Sequence, residues 1–327
     1  MNPSAIRIAR QAALLLAAAL LAPAVQAQAQ EWPTRPVRLI VPLTPGSGAD
    51  IVARTLAKPL QDIWKQPVVI ENRPGAGGQI GTREVVQATD DHTLLVQSAS
   101  HASNPALYKS LPYDPARDLV DVGLLATSPY VLVTASSGPY KTVADIVQAA
   151  RAKPGAEPFA SAGMGSVTHL TAELFTQAAG IRMTHIPFKG SPDAVTDVAA
   201  GRSRFYVAPL PTVAGMLKDG KIRPVAVTSA ERVASLPEVP TIAESGYPGF
   251  QAELWVGMWA PSGLPAPVLA KLADDVAAAL RTPELQDQYA KAGNQVRIMA
   301  QPEFAGFVRK EIETNKQLAK NAGIEPM

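Results

Sequence analysis

The chain has 327 residues, 47% of them hydrophobic and 18% charged, which is enough apolar mass for about two domains and too little charge for a disordered protein. Its 30 basic and 28 acidic side chains give a formal charge of +2, so there is no electrostatic case for nucleic acid. No cysteine is present, which excludes disulfides, thiolate metal clusters and thiol catalysis.

At the N-terminus Arg7 and Arg10 precede the apolar run Ala12 to Leu21, and Val25-Gln26-Ala27 or Ala27-Gln28-Ala29 then offers small residues at signal-peptidase spacing. The run is too short for a bilayer, which needs about 20 apolar residues. Residues 1–29 are therefore predicted to be a cleaved secretory signal, placing the mature chain in the periplasm with no membrane span. Without Arg7 and Arg10 the mature chain balances 28 bases against 28 acids.

Val37, Leu39, Ile40 and Val41 form a β-favouring run suited to a strand buried on both faces. Pro42 and Pro45 end it, because proline has no N–H for a central ladder. Thr44-Pro45-Gly46-Ser47-Gly48 then makes a loop. Beyond it Val52, Leu56, Leu60 and Ile63 recur at spacings of four, four and three, one face of a helix that Pro59 is expected to kink or split. Such a helix points its unpaired N–H groups and positive dipole end above the strand, where an anion is favoured.

A second strand, Pro67 to Glu71, leads through glycines 75, 77, 78 and 81 to a helix from about Ile80 to Ala88. No Lys-Ser/Thr follows those glycines and the GxGxxG spacing is absent, so neither nucleotide signature is present. A third strand, His92 to Gln97, ends in a hydroxyl-rich loop with Ser98, Ser100 and His101, followed by a connector that Pro105, Pro112 and Pro115 keep from being one helix. Val122 to Thr134 is an apolar run long enough to cross between domains.

Helix Val143 to Ala152 and strand Pro158 to Ser161 open a new βα alternation. The loop Ala162-Gly163-Met164-Gly165-Ser166 enters a helix with Leu170, Leu174, Phe175 and Ala178 on one face, Ser166 as N-cap and Gly180 as stop. Strand Arg182 to Phe188 leads to Ser191, a candidate cap, and Pro192 in a first helical turn. Strands Arg204 to Ala208 and Val225 to Thr228 flank a helix around Val213 to Lys218. Trp255 to Ala260 reads as the strand that crosses back, and two amphipathic helices close the chain. His92, His101, His169 and His185 include no helical i,i+4 pair, so neither metal nor cofactor is expected.

The order predicts an α/β protein of two domains, each a mostly parallel sheet flanked by helices. Domain 1 is discontinuous, 30–131 plus 253–327, and domain 2 is 132–252. Open parallel sheets bind ligands beyond the carboxyl ends of their strands, where both glycine loops lie.

The segments RLIVPLTPGSGADIVAR, VVIENRPGAGGQIGT, NPALYKSLPYDPARD, ASAGMGSVTHLTAELF, IPFKGSPDAVTDVAAG, AVTSAER, LPEVPTIAESG and WVGMWAPSGLP, in that order behind a signal, carry a resemblance. From about Trp32 to the C-terminus the chain resembles the Bug/TctC family, the periplasmic solute receptors of tripartite tricarboxylate transporters. The resemblance implies a type II periplasmic-binding-protein fold, a monomer whose two domains close over a small carboxylate and present it to membrane permease subunits. It implies that backbone amides, hydroxyls and waters hold the carboxylate, with Thr44, Pro45, Gly46, Ser47, Gly48, Ser98, Ser100, Ala162, Gly163, Met164, Gly165, Ser166 and Thr168 as contacts. His169, in the first turn of its helix, is a further candidate.

Two departures bear on ligand choice. Val207-Ala208-Pro209 stands where relatives often read phenylalanine-aspartate-asparagine, so Ala208 is expected to remove a carboxylate and to favour a ligand without a cationic group. Leu43 replaces a common aromatic residue and widens the mouth. Two other functions compete: a secreted hydrolase, against which Gly163 to Val167 lacks the GxSxG elbow, and a receptor serving a sensor kinase, which needs the same cleft.

Overall fold

The computed structural model describes residues 32–321 and 325–326; the expected signal segment lies outside the described residues. The apolar run becomes β1 (Val37–Val41), which pairs in parallel with β2 (Val68–Asn72) on one side and β3 (Thr93–Ser98) on the other, Leu39 facing Ile70 and Leu94. Between them lie α1 (Gly48–Trp64) and α2 (Gln79–Val86). Pro59 does not split α1, which runs unbroken through it and buries Val52, Leu56 and Leu60.

The segment expected to be a loop and connector forms α3 (Ser100–Leu107) around Pro105. Proline here forfeits one backbone bond, while Ala102, Ala106 and Leu107 are buried and the helix packs on the C-terminal α10 (Gln301–Asn321). That burial offsets the loss.

The long apolar run is a single strand, β4 (Leu119–Ala135). Leu119 to Pro129 pairs antiparallel with β9 (Glu253–Pro261), and the partners then change. Tyr130 to Val133 pairs with β7 (Phe205–Pro209), and Val131 to Ala135 pairs with β8 (Ile222–Val227). Beyond β7 lie β5 (Pro158–Ser161) and β6 (Thr184–Pro187), both parallel additions. The strand order is β2-β1-β3-β9-β4-β7-β5-β6, with β8 also on β4. Among the described residues the antiparallel pairings all involve β4 or β9, the two strands that cross between the halves.

Helices α4 (Val143–Ala152), α5 (Val167–Ala178), α6 (Ser191–Ala199) and α7 (Leu210–Lys218) alternate with the strands of the second half. The C-terminal region holds α8 (Ala266–Leu280), α9 (Pro283–Lys291) and α10. The sequence reading missed α9, although Pro283 in its first turn and the buried pair Leu285 and Tyr289, four residues apart, are helix signals.

Two apolar cores form. One gathers Ile40, Leu95, Leu124, Trp255, Trp259 and Phe304; the other gathers Val131, Ala160, Val195, Tyr206, Val213 and Val227. The indoles of Trp255 and Trp259 are core groups that donate to Glu311 and Asp121 at 3.1 and 2.8 Å. Packing, not ligand stacking, accounts for them. Among the described residues no helix is long and apolar enough to cross a membrane.

Candidate functional site

Pro42 ends β1, and the loop Leu43 to Ser47 carries the chain into α1. Ser47 is the N-cap, its hydroxyl accepting from the Asp50 amide at 3.4 Å. Asp50, almost fully buried, accepts from the Gly46 amide at 2.8 Å, Arg54 Nε at 2.9 Å and Asn72 Nδ2 at 2.9 Å, while Asn72 also donates to the Leu43 carbonyl. Burial alone would raise the Asp50 pKa, but these donors outweigh it and hold the carboxyl below its usual range. The loop is thus a closed hydrogen-bonded unit, with Gly46 at φ 77°, where a β-carbon is strained.

The second loop has its own internal frame. Ser161 Oγ contacts the Gly163 amide and carbonyl, both at 3.1 Å. Thr168 Oγ1 accepts from the Ala162 amide at 3.0 Å, and Ser166 caps α5 through the His169 amide at 3.2 Å. The Gly165 amide donates to His169 Nδ1 at 3.4 Å. Beneath it the His169 and His185 rings stack at 3.8 Å, and His185 Nε2 lies 2.6 Å from Ser161 Oγ. Burial, with His169 alongside, pushes His185 down to about 4, so His185 supports the loop as a neutral ring.

These two loops meet at a small cavity of about 30 Å³. Seven hydroxyl-bearing residues, Thr44, Ser47, Ser98, Ser100, Ser166, Thr168 and Ser191, line it together with Leu43, Val167, Pro209 and Leu254, and no charged side chain is in the lining. Thr44 Oγ1 is buried without a partner, Ser98 and Ser100 hydroxyls lie 3.2 Å apart, and Tyr206 donates to Ser191 at 2.8 Å. Five helices begin here: α1 at Gly48, α3 at Ser100, α5 at Val167, α6 at Ser191 and α7 just after Pro209. The first N–H groups of a helix have no partner within it, so five positive dipole ends converge.

Of the residues expected from sequence, Thr44, Ser47, Gly48, Ser98, Ser100, Ala162, Ser166 and Thr168 line this cavity. Pro45 and Gly46 do not, nor do Gly163, Met164, Gly165 and His169; the amides of Gly46, Gly163 and Gly165 are held inside their own loops. Ala208 faces the second core, fully buried, and its neighbour Pro209 reaches the cavity, so a carboxylate at 208 would point away from it. Ser191 does not cap α6, where Gly190 holds the cap position. Gly190 and Ser191 were not anticipated as cavity residues. The Gly-Ser-Pro start of a helix after a strand is a signal of the same kind as the glycine loops before α1 and α5.

The halves touch closely. A β-carbon on Gly190 would fall 2.0 Å from Thr44 Oγ1, Tyr108 donates to the Met164 carbonyl at 3.2 Å, and the Val167 amide points to Ser100 Oγ at 3.4 Å. A second, wider cavity of about 490 Å³ adjoins the first, sharing Leu43, Ala162 and Ser166. Among the described residues no His, Asp or Glu cluster could hold a metal ion.

Residues 52–324 match the family model described as tripartite tricarboxylate transporter family receptor. Protein BugT of Bordetella pertussis is 35% identical over 305 residues, covering 92% of this chain and 94% of that one. A Rhodopseudomonas palustris structure, Rpa4515 with adipate, superposes with a TM-score of 0.88 at 35% identity over 90% of this chain and all of the other. MatC from the same organism, with bound malate, gives 0.83 at 30% identity over 88% and 99% of the two chains.

Proposed function

Because the chain belongs to the tripartite tricarboxylate transporter receptor family, we propose that it is an exported periplasmic receptor that captures a small carboxylate between two closing domains and hands it to a membrane permease. The observation that carries this is the small uncharged cavity where five helices begin and seven hydroxyl-bearing residues gather. An anion is the ligand such a site stabilises, since hydroxyls donate to it and each helix start contributes about 0.3–2 kcal/mol. Hydrogen bonds to a charged group add roughly 1.5–3 kcal/mol each. A few of these reach the approximately −8 kcal/mol of a micromolar complex even after association costs. No arginine is needed, and burying one would itself cost free energy.

Adipate and malate in the two related structures support a carboxylate as cargo. Domain 1 as 30–131 plus 253–327 and domain 2 as 132–252 is supported by the two separate cores and by the change of β4 partners after Pro129. The residues assigned to the carboxylate are Thr44, Ser47, Gly48, Ser98, Ser100, Ser166 and Thr168, with Ser191 added from the geometry. The reading as a monomeric receptor without catalytic activity is supported by membership of a receptor family.

The test is native mass spectrometry of the secreted chain, followed by calorimetry with the acids that co-purify and a panel of mono- and dicarboxylates. A bound acid recovered unchanged, with micromolar or tighter affinity, is expected. Turnover of that acid, or no affinity for any carboxylate, would sink the reading.

A further inference from the structure

The two adjoining cavities differ in size and in the residues that line them. At about 30 Å³ the first is too small for a whole organic acid. Cavities that enclose an organic ligand run to several hundred Å³. The second, at about 490 Å³, has that size, and Leu43, Ala162 and Ser166 line both.

The wider cavity is floored by the glycine loop at 75–78 and walled by Tyr108, Met164 and Phe188. Met164 is 43% exposed, a large apolar side chain left at the rim. Lys189 is the one charged side chain in its lining; no carboxylate lines it, and the polar partners that a hydroxyl-rich diacid requires are few. Leu43, at the junction, is shorter than an aromatic side chain.

We propose that the acid captured here has an apolar body, an unbranched chain or single ring, that passes Leu43 and lies in this second cavity with a far end that is neutral or anionic. This rests on the carboxylate-receptor reading above and narrows it. Apolar-bodied acids are selected over small hydroxylated di- and tricarboxylates, and a distal ammonium is rejected by Lys189.

Calorimetry with propionate, hexanoate, malate and 6-aminohexanoate tests it. Each buried methylene is worth about fourfold in affinity, so hexanoate is expected to bind at least tenfold more tightly than propionate, and more tightly than malate or 6-aminohexanoate. Phe188→Ser should weaken hexanoate about five- to tenfold and leave propionate unchanged. Lys189→Glu should narrow the gap between hexanoate and 6-aminohexanoate. If malate binds best, or if Phe188→Ser affects both monoacids equally while Lys189→Glu changes nothing, the body lies elsewhere and this proposal fails with the receptor reading intact. If hexanoate does not bind, and adipate and benzoate do not bind either, this proposal fails; the receptor reading fails only if the whole panel of carboxylates shows no affinity.

Discussion

At Asp50 one buried carboxylate gathers Gly46, Arg54 and Asn72, and through Asn72 it reaches the Leu43 carbonyl. Ser47-x-x-Asp50 is a capping-box spacing, so this residue is legible in the sequence. Asp50→Ala is expected to cost roughly 2–4 kcal/mol of stability, read by chemical denaturation, and to weaken ligand binding at least tenfold. Intact affinity in that variant would mean that the loop holds its shape without the carboxylate. His101 poses a different problem. It packs against Trp259 at 4.2 Å with both ring nitrogens unpartnered, and burial pushes its pKa down from 6.5 to about 3. Between those values the unfolded chain binds more protons than the folded one, so stability falls as pH falls, by up to about 1.4 kcal/mol per pH unit. His101→Leu removes that loss, and its acid-unfolding midpoint, followed by circular dichroism, should move to lower pH. Coincident midpoints would show that His101 is not the buried neutral ring described. Nothing in the sequence marked His101 as buried, because its environment comes from β9, far along the chain.

The strand, loop and helix units were legible because each is local: an apolar run, a proline stop, a hydroxyl cap and a helical stripe. Two such helix starts were anticipated at the candidate site, whereas five converge on the small cavity. What brings them together is the pairing of β4 with β7, β8 and β9, contacts over long sequence separations that no local pattern encodes. The start of α6 shows what this convergence demands. Gly190 sits against Thr44 with no space for a β-carbon, although its extended backbone would admit any residue. Gly190→Ala should therefore leave melting temperature nearly unchanged and reduce affinity tenfold or more by wedging the loops apart. Wild-type affinity, measured by calorimetry, would show that Thr44 rotates away at little cost.

Across the whole molecule two strands join the halves, and Thr228 ties the crossings together. Its hydroxyl donates to the Ala252 carbonyl at 2.6 Å and accepts from the Tyr130 amide at 3.1 Å, beside the point where β4 changes partners. Thr228→Val keeps the shape and deletes both bonds, which should cost about 1–3 kcal/mol and give the ligand-free chain a larger radius of gyration in small-angle scattering. An unchanged scattering profile would leave the strands alone in setting the angle between halves. The division between the two cavities also bears on how such a protein changes its cargo over time. The small cavity is lined by helix starts and small hydroxyl-bearing residues, whereas Tyr108, Phe188 and Lys189 line only the wider space. On the proposed reading, a gene copy that exchanges Tyr108 or Lys189 would alter the wider space in a single step and leave the small cavity's lining as it is, whereas a change at Phe188 also reaches the second core.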